Sequence, residues 1–468
     1  MRPIECILVC LLAAGAIWRL VAGPQAKTIH YFFLCLSITL LLFQILIEGA
    51  HWQMAPAYLA MIVFCALIVF RNHRGSLQSA GAWVVIFLVV LASCFSAVLP
   101  MFKLPMPTGP YAVGTRIIFM VDRSRPEETI GSVERNRELM VQIWYPAEPS
   151  RKPLAPYRRL QETTLLSSYQ SKLWTHARLE GPVASQGDPF PVLLFNPAWT
   201  GRRTQNTFLA EDLASHGYIV AGIDHTYNSG PVAFPDGRVV KSRPDPGMEF
   251  TIGPLERVQA AAEKELKRQT DDDVFVLDQL QSMNGDAKSP FYGRVDANTT
   301  GAFGHSFGGA VAAQVCYLDP RIRAALDLDG SLFGEVQREG LHKPFMFISE
   351  DVTQHTREEI ARMNMESRID AALDQNDAAM VSKSGGFRIF LHGSTHASFT
   401  DRALFSPFKK FSGAGEIPPR RQLLIIRQLA LAFFDQALKG KPISMLGSRQ
   451  SPFPEAAFAA PGFSKKKE

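Results

Sequence analysis

Apolar residues follow two regimes along this chain. The first hundred residues hold four long apolar runs: Ile4 to Ala22, broken by Glu5 and Arg19; Ile29 to Ile47, interrupted by Gln44; and the uncharged Met54 to Phe70 and Ala80 to Pro100. A helix crosses a bilayer with roughly 20 apolar residues, about 17 as the lower bound. The second, third and fourth runs meet that length. The first is marginal, although Arg19 near its end could carry its charged head to the interface. A cleaved signal peptide is the competing reading of the first run. It is opposed by the brief Met1-Arg2-Pro3 start and by the three apolar runs that follow closely. Four such runs back to back are too apolar for buried helices of a soluble domain. Residues 1–100 are therefore expected to form an all-α membrane region of about four transmembrane helices.

Beyond Pro100 the apolar runs become short. Four prolines, Pro100, Pro105, Pro107 and Pro110, make residues 101–112 read as a stiff linker. Thr115 to Val121 and Leu139 to Tyr145 are rich in β-branched and aromatic residues and flank a charged turn, which predicts a hairpin ending in Trp144-Tyr145-Pro146. Residues 147–189 read as irregular. From Phe190 strands and helices alternate. Strands are expected at Val192–Phe195, Tyr218–Ile223, Thr300–Phe303, Ala324–Leu328, Phe345–Ser349 and Phe387–Leu391. Helices are expected at Thr207–His216, Leu255–Met283, Arg357–Met380 and Gln422–Leu438. Pro235-Asp236-Gly237 marks a turn between apolar flanks. Such alternation predicts an α/β domain over residues 113–440, with a mostly parallel sheet covered on both faces. Residues 441–468, ending in Lys465-Lys466-Lys467, are expected to be a disordered tail.

Charge refines this layout. The net charge of +5 is spread thinly, and no basic stripe with interleaved aromatics suggests nucleic acid. Arg19 and Lys27 lie between the first two runs, and Arg71, His73 and Arg74 between the third and fourth. The loop between the second and third carries Glu48 and His51 but no Lys or Arg. The positive-inside rule then puts the first and third loops in the cytoplasm and everything after Pro100 on the extracytoplasmic (periplasmic) side of a multi-pass protein. Five of the six cysteines fall in the first hundred residues, and no CxxC or Cys/His cluster suggests a metal site.

The chemistry concentrates at Gly304-His305-Ser306-Phe307-Gly308, a Gly-x-Ser-x-Gly pattern with an apolar strand before it and an Ala/Val-rich helix after it. A serine on so sharp a strand-to-helix turn needs small residues two before and two after it. The turn lifts the hydroxyl clear of the sheet and aims the helix N-terminus at developing negative charge. A serine hydroxyl is a weak nucleophile, so the pattern calls for a histidine and an acid that orients it, in the chain order Ser, acid, His. The loop after the last expected strand offers His392 and His396, with His396 favoured because His392 abuts the strand. For the acid, Asp329 ends one strand and Glu350 and Asp351 end the next, while Asp327 alternates to the other side or is buried.

Trp144-Tyr145-Pro146, Asp212-Leu213-Ala214-Ser215-His216-Gly217, Gly304-His305-Ser306-Phe307-Gly308-Gly309, Leu328-Asp329-Gly330 and His392-Gly393-Ser394-Thr395-His396-Ala397-Ser398-Phe399 together resemble the platelet-activating factor acetylhydrolase family, the plasma and intracellular type II enzymes and their bacterial relatives. The resemblance runs from about Gly114 to Leu438. It implies an α/β-hydrolase fold and a calcium-independent serine esterase, with Ser306 as nucleophile, Asp329 as acid and His396 as general base. It also implies oxyanion donors at the backbone N–H groups of Phe307 and, by ungapped count, Trp199. Where family members usually show a His-Gly pair, this chain has Asn196-Pro197-Ala198-Trp199, and Pro197 has no N–H to donate.

The expected function is hydrolysis of carboxylic esters, short or oxidised acyl chains of phospholipids in particular, by a membrane-anchored enzyme that needs no metal or organic cofactor. Its partners would be a lipid or small ester and the membrane. A thioesterase, amidase or acyltransferase would use the same residues on another bond. A non-catalytic membrane module would be expected to lack one of them.

Overall fold

The structure, a computed structural model, describes all residues except 24–25, 71–74, 128–134, 244–254, 352–356, 385, 443, 449 and 460–468. The loop charges Arg71, His73 and Arg74 and the Lys465–Lys467 cluster lie outside the described residues. The chain folds as two compact units: residues 1–103 with 156–174 and 404–412, and residues 104–155, 175–403 and 413–468. Residues 156–174 and 404–412 are thus inserted in sequence between stretches of the second unit.

In the first unit, helices α1 (Pro3–Ala22), α2 (Lys27–Phe43), α3 (Ala55–Val69) and α4 (Gly75–Val98) match the four apolar runs. A short π-turn, Gln44–Glu48, extends α2, and a 3-10 turn, Trp52–Met54, leads into α3, so all four segments are long and apolar enough to cross a membrane. Their shared core holds Leu8, Leu12, Met54, Phe64 and Val85. The charges that interrupt the first run are satisfied inside this unit. Buried Glu5 lies 2.8 Å from His51 Nε2. Arg19 is itself buried and donates to Gln78 Oε1 at 2.6 Å, rather than reaching outward. From the two inserted segments, the Leu166 carbonyl accepts the Trp52 indole N–H at 3.1 Å, and Phe405 stacks on Phe102 with centroids 5.2 Å apart.

The second unit opens with the expected hairpin, β1 (Ala112–Pro126) and β2 (Asn136–Ala147), with Ala112 opposite Ala147. There follow β3 (Leu154–Pro156), β4 (Trp174–Leu179), β5 (Phe190–Asn196), α5 (Thr207–Ser215), β6 (Ile219–Asp224), the two-residue strands β7 (Val232–Ala233) and β8 (Val239–Val240), and α6 (Leu255–Gly285). Next come β9 (Val295–His305), α7 (Phe307–Leu318), β10 (Ile322–Leu328), α8 (Glu335–Glu339), β11 (Phe345–Ser349), α9 (Arg357–Arg362), α10 (Met365–Ser384) and β12 (Phe387–Leu391). The chain closes with α11 (Lys409–Ser412, in the first unit), α12 (Pro419–Lys439), α13 (Ser444–Ser448) and β13 (Ala456–Phe458). The sheet order is β13-β12-β11-β10-β9-β5-β6-β2-β1-β4-β3. Strands β6, β5, β9, β10, β11 and β12 run parallel, and from β5 onward a helix joins each of them to the next in chain order. The Val, Leu, Ile and Phe side chains of β5, β6, β9, β10 and β11 are buried on both faces.

Three segments differ from the expectation. Residues 147–189 are not wholly irregular: β4 pairs in parallel with β1, Gly114 beside Arg178. The expected single helix 357–380 is two, because the Asn364 side chain accepts the Ser367 N–H at 2.8 Å and starts a new helix. The expected tail contributes β13, antiparallel to β12, anchored by the Arg421–Glu455 ion pair at 2.8 Å. The Pro-rich linker also does not hang free of its unit. The Thr108 N–H donates to Asp212 at 2.9 Å and the Gly109 N–H to Ser215 Oγ at 2.9 Å.

Candidate active site

Strand β9 delivers Ser306 directly to the start of α7. Ser306 has φ +56 and ψ −128, a region that non-glycine residues enter only when the surroundings force them. The forcing is steric. A Cβ on Gly304 would stand 2.0 Å from the Gly308 carbonyl oxygen, and one on Gly308 would stand 2.1 Å from the Asn196 carbonyl oxygen. Backbone therefore packs on backbone at the turn, and α7 begins with its first N–H groups unpaired within the helix.

Next along the sheet, β10 ends at Asp329, also left-handed at φ +58. Its Oδ2 lies 2.7 Å from His396 Nδ1, and its Oδ1 accepts the Glu350 N–H at 2.7 Å. His396 opens a short 3-10 turn beyond β12, capped reciprocally by Thr395 and Ser398. Its side chain is half exposed, whereas Asp329 is buried. Burial works against a proton on His396, but the Asp329 hydrogen bond and charge, with the Glu350 charge, outweigh it and raise the pKa. Glu350 is itself pushed up to about 7, first by burial and then by repulsion from Asp329. Among the described residues no hydrogen bond joins the Ser306 hydroxyl to His396; such bonds often tighten only around substrate.

The competing pair is elsewhere. His392 Nδ1 lies 2.5 Å from Asp351, and both side chains are more than half exposed. Asp327 is fully buried, accepts the Gly330 N–H at 2.8 Å, and is pushed well above the usual carboxylate range by burial and by nearby Asp377. It fills the space where a Cβ on Gly309 would stand, 2.0 Å from its Oδ1.

Of the two expected backbone donors, Trp199 lies in the loop after β5 and Phe307 is the first residue of α7, and their side chains touch. The Trp199 and Phe307 rings meet edge to face, centroids 5.3 Å apart and planes at 83°. The Ala198 N–H is taken by Gln205 Oε1 at 2.8 Å, whereas the Trp199 N–H has no protein acceptor among the described residues. Behind Phe307, an apolar cluster of Val258, Leu266, Phe333 and Ile369 lines the elbow helix.

A buried polar chain backs the loop. Asn196 donates to Asp273 at 2.7 Å and lies 2.9 Å from His225 Nε2, whose Nδ1 is 3.0 Å from Asp272. Arg137 holds Asp272 through two nitrogens at 2.6 and 3.0 Å and also donates to Glu127 at 2.8 Å. Burial alone would raise the pKa of Asp272, but Arg137 and His225 overcome it and keep the carboxylate ionised. Its neighbour Asp273, without a cation, is pushed well above the usual range by burial. Nothing in the sequence marked these residues, nor Gln205; His305 was visible only as the neighbour of Ser306, and Glu350 only as an alternative acid. Among the described residues no group of three or more His, Cys, Asp and Glu side chains is placed to hold a metal ion.

Comparison with known proteins fits this geometry. The family model for platelet-activating factor acetylhydrolase, isoform II, matches residues 97–442. A probable 1-alkyl-2-acetylglycerophosphocholine esterase of Arthroderma benhamiae is 24% identical over 409 residues, covering 80% of this chain and 98% of that protein. A platelet-activating factor acetylhydrolase of Gallus gallus is 22% identical over 378 residues, covering 73% and 85%. Among solved structures, a ferulic acid esterase from Streptomyces cinnamoneus superposes with a TM-score of 0.61 at 30% identity, covering 77% of this chain and 99% of that one. The strand order and the helical crossovers are those of an α/β-hydrolase, preceded here by four apolar helices. The chain belongs to the platelet-activating factor acetylhydrolase isoform II family, and is an ester-hydrolysing enzyme.

Proposed function

We propose that this chain is a membrane-anchored serine esterase that removes short or oxidised acyl chains from phospholipids through an acyl-Ser306 intermediate. The observation that carries the reading is the 2.7 Å contact between His396 Nδ1 and Asp329 Oδ2, at strand ends neighbouring a serine held at φ +56. With Nδ1–H directed at Asp329, His396 Nε2 is the free base. It takes the Ser306 proton as the oxygen attacks the ester carbonyl, and Asp329 stabilises the imidazolium. The Trp199 and Phe307 N–H groups receive the oxyanion, a contribution of about 3–4 kcal/mol per donor. His396 then protonates the departing alkoxide, and water repeats the sequence to release the acid. The apolar cluster beside Phe307 favours an acyl chain over a charged group on that side. The relatives' names support an acetylated glycerophosphocholine as the model substrate.

The four apolar helices are the anchor in this reading. The Arg19 and Lys27 side of the bundle faces the cytoplasm, which leaves residues after Pro100 outside. Exposed Leu165, Leu166, Phe408 and Phe411 belong to the same compact unit as the helices and suit a lipid surface.

The test is labelling of the full chain by a fluorophosphonate probe, together with hydrolysis of phosphatidylcholines that carry acetyl, oxidised or long acyl groups at one position. Ser306→Ala should abolish labelling and turnover. Equal labelling of wild type and Ser306→Ala would sink the mechanism. Preference for the long acyl chain would sink the substrate class. A C-terminal reporter active on one side of the membrane tests the topology.

A further inference from the structure

Three contacts in sequence connect the oxyanion loop to the loop that bears His396. The Ala198 N–H donates to Gln205 Oε1 at 2.8 Å, Gln205 Nε2 lies 3.0 Å from His305 Nδ1, and His305 Nε2 lies 3.0 Å from the carbonyl oxygen of His396. One proton assignment satisfies all three. The Ala198 N–H requires Oε1 as its acceptor, so Gln205 Nε2 donates. His305 Nδ1 then accepts, and its only proton sits on Nε2, where it donates to the His396 carbonyl. A cationic His305 would turn an N–H against the Gln205 amide. Burial, then the neighbouring His396, holds the His305 pKa well below the usual imidazole range, in keeping with the neutral form. The His305 ring also lies against the His396 ring, centroids 4.5 Å apart.

The same two loops are joined on either side of this chain. The Gln205 carbonyl accepts the Asp401 N–H at 3.1 Å, and Asn206 donates to the Phe399 carbonyl at 2.8 Å. Asp401 in turn accepts the Thr207 N–H at 2.8 Å. Of these contacts, only the Gln205–His305 bridge reaches both the oxyanion turn and His396 itself. It also answers a local deficit. Pro197 has no N–H and the Ala198 N–H is turned into Gln205, so Trp199 is the loop's donor to the reaction, and that donor has to be aimed by the turn.

We propose that Gln205 and His305 are positioning residues: their bridge fixes the Trp199 N–H relative to His396, so that donor and base meet the same ester carbonyl. The proposal rests on the serine-esterase reading above. Gln205 touches neither substrate nor reacting atoms and acts through Ala198.

The experiment uses the full chain in detergent with p-nitrophenyl acetate, with active sites counted by fluorophosphonate labelling. In Gln205→Met, which keeps length but removes both polar ends, kcat per labelled site should fall roughly 10- to 100-fold while KM stays within about twofold, the pattern of a misplaced transition-state contact. Affinity for a trifluoromethyl ketone, which forms a tetrahedral adduct, should weaken by the same factor. Gln205→Glu keeps an acceptor for the Ala198 N–H and should recover part of the lost kcat. Gln205→Met combined with His305→Phe should be no worse than the poorer single variant, because a broken bridge breaks once. Unchanged kcat per site in Gln205→Met, equal kcat in the Met and Glu variants, or multiplying losses in the double variant would each overturn the proposal. Turnover that survives in Ser306→Ala would instead overturn the esterase reading, whatever the Gln205 variants do.

Discussion

Glu350→Gln should move the acid limb of the pH–rate profile to lower pH. His396 must be deprotonated to accept the Ser306 proton, so kcat/KM rises as pH passes its pKa. That pKa is raised because Asp329, and then Glu350, favour the cation over the opposing effect of burial. Glu350 touches the pair through both its groups: its N–H donates to Asp329 at 2.7 Å, and its carboxylate charge favours the His396 cation. Its own pKa is pushed up to about 7, and each group's charge acts on the other's titration, so the wild-type limb belongs to the pair and not to one residue. Two unit charges near contact interact by about 1 kcal/mol in water and about 4 at the effective dielectric of a protein surface. His396 is half exposed, which draws the value toward the water limit, about 1 kcal/mol, or roughly 0.7 pH unit. Glutamine keeps the size but removes the charge. The assay is kcat/KM against pH for p-nitrophenyl acetate, with Asp351→Asn as control, since Asp351 pairs with His392 instead. An acid limb that stays in place or moves upward in Glu350→Gln refutes the electrostatic argument; an equal shift in the control refutes its assignment to Glu350.

Three further outcomes rest on packing and backbone. Ser306→Gly should lose all labelling yet unfold later, because relief of the left-handed serine returns about 1 kcal/mol; an earlier denaturant midpoint contradicts this. Gly309→Ala should cost about 1–3 kcal/mol or more, since its Cβ would overlap the buried Asp327 carboxylate at 2.0 Å. A wild-type midpoint in denaturant refutes that account. Arg137→Met leaves Asp272 and Glu127 buried without their shared partner and should cost about 3–5 kcal/mol, read from the same unfolding curves; a loss under about 1 kcal/mol shows that Arg125 suffices for Asp272.

The central strands were legible because parallel strands buried on both faces read as unbroken apolar runs. Phe345–Ser349 and Phe387–Leu391 fall where the pattern set them. Ala456–Phe458 was not legible: three residues in a Pro-rich stretch become a strand only because β12 offers a free edge. The same holds for β3 and β4, whose partners lie across the fold. At the site, Gly304, Ser306 and Gly308 declare a turn by themselves, since only small residues fit it. Spacing alone left His392 open against His396, and Asp351 and Glu350 open against Asp329. In the fold His392 lies against Asp351 and His396 against Asp329. Gln205 carries no signal at all: it is a polar residue in a loop until the fold sets it between Ala198 and His305.

Asn196 is the last residue of β5 and the first fixed point before Pro197. Its side chain is gripped from α6 by Asp273 and through His225 by Asp272, which Arg137 ties to the start of β2. A loop exchanged with a relative at Pro197 to Gly201 would thus inherit its foundation from three other elements. Grafts that keep Asn196, His225 and Asp272 as one cassette carry the anchorage with them, whereas a transplanted loop alone imports donors with nothing behind them to hold their aim.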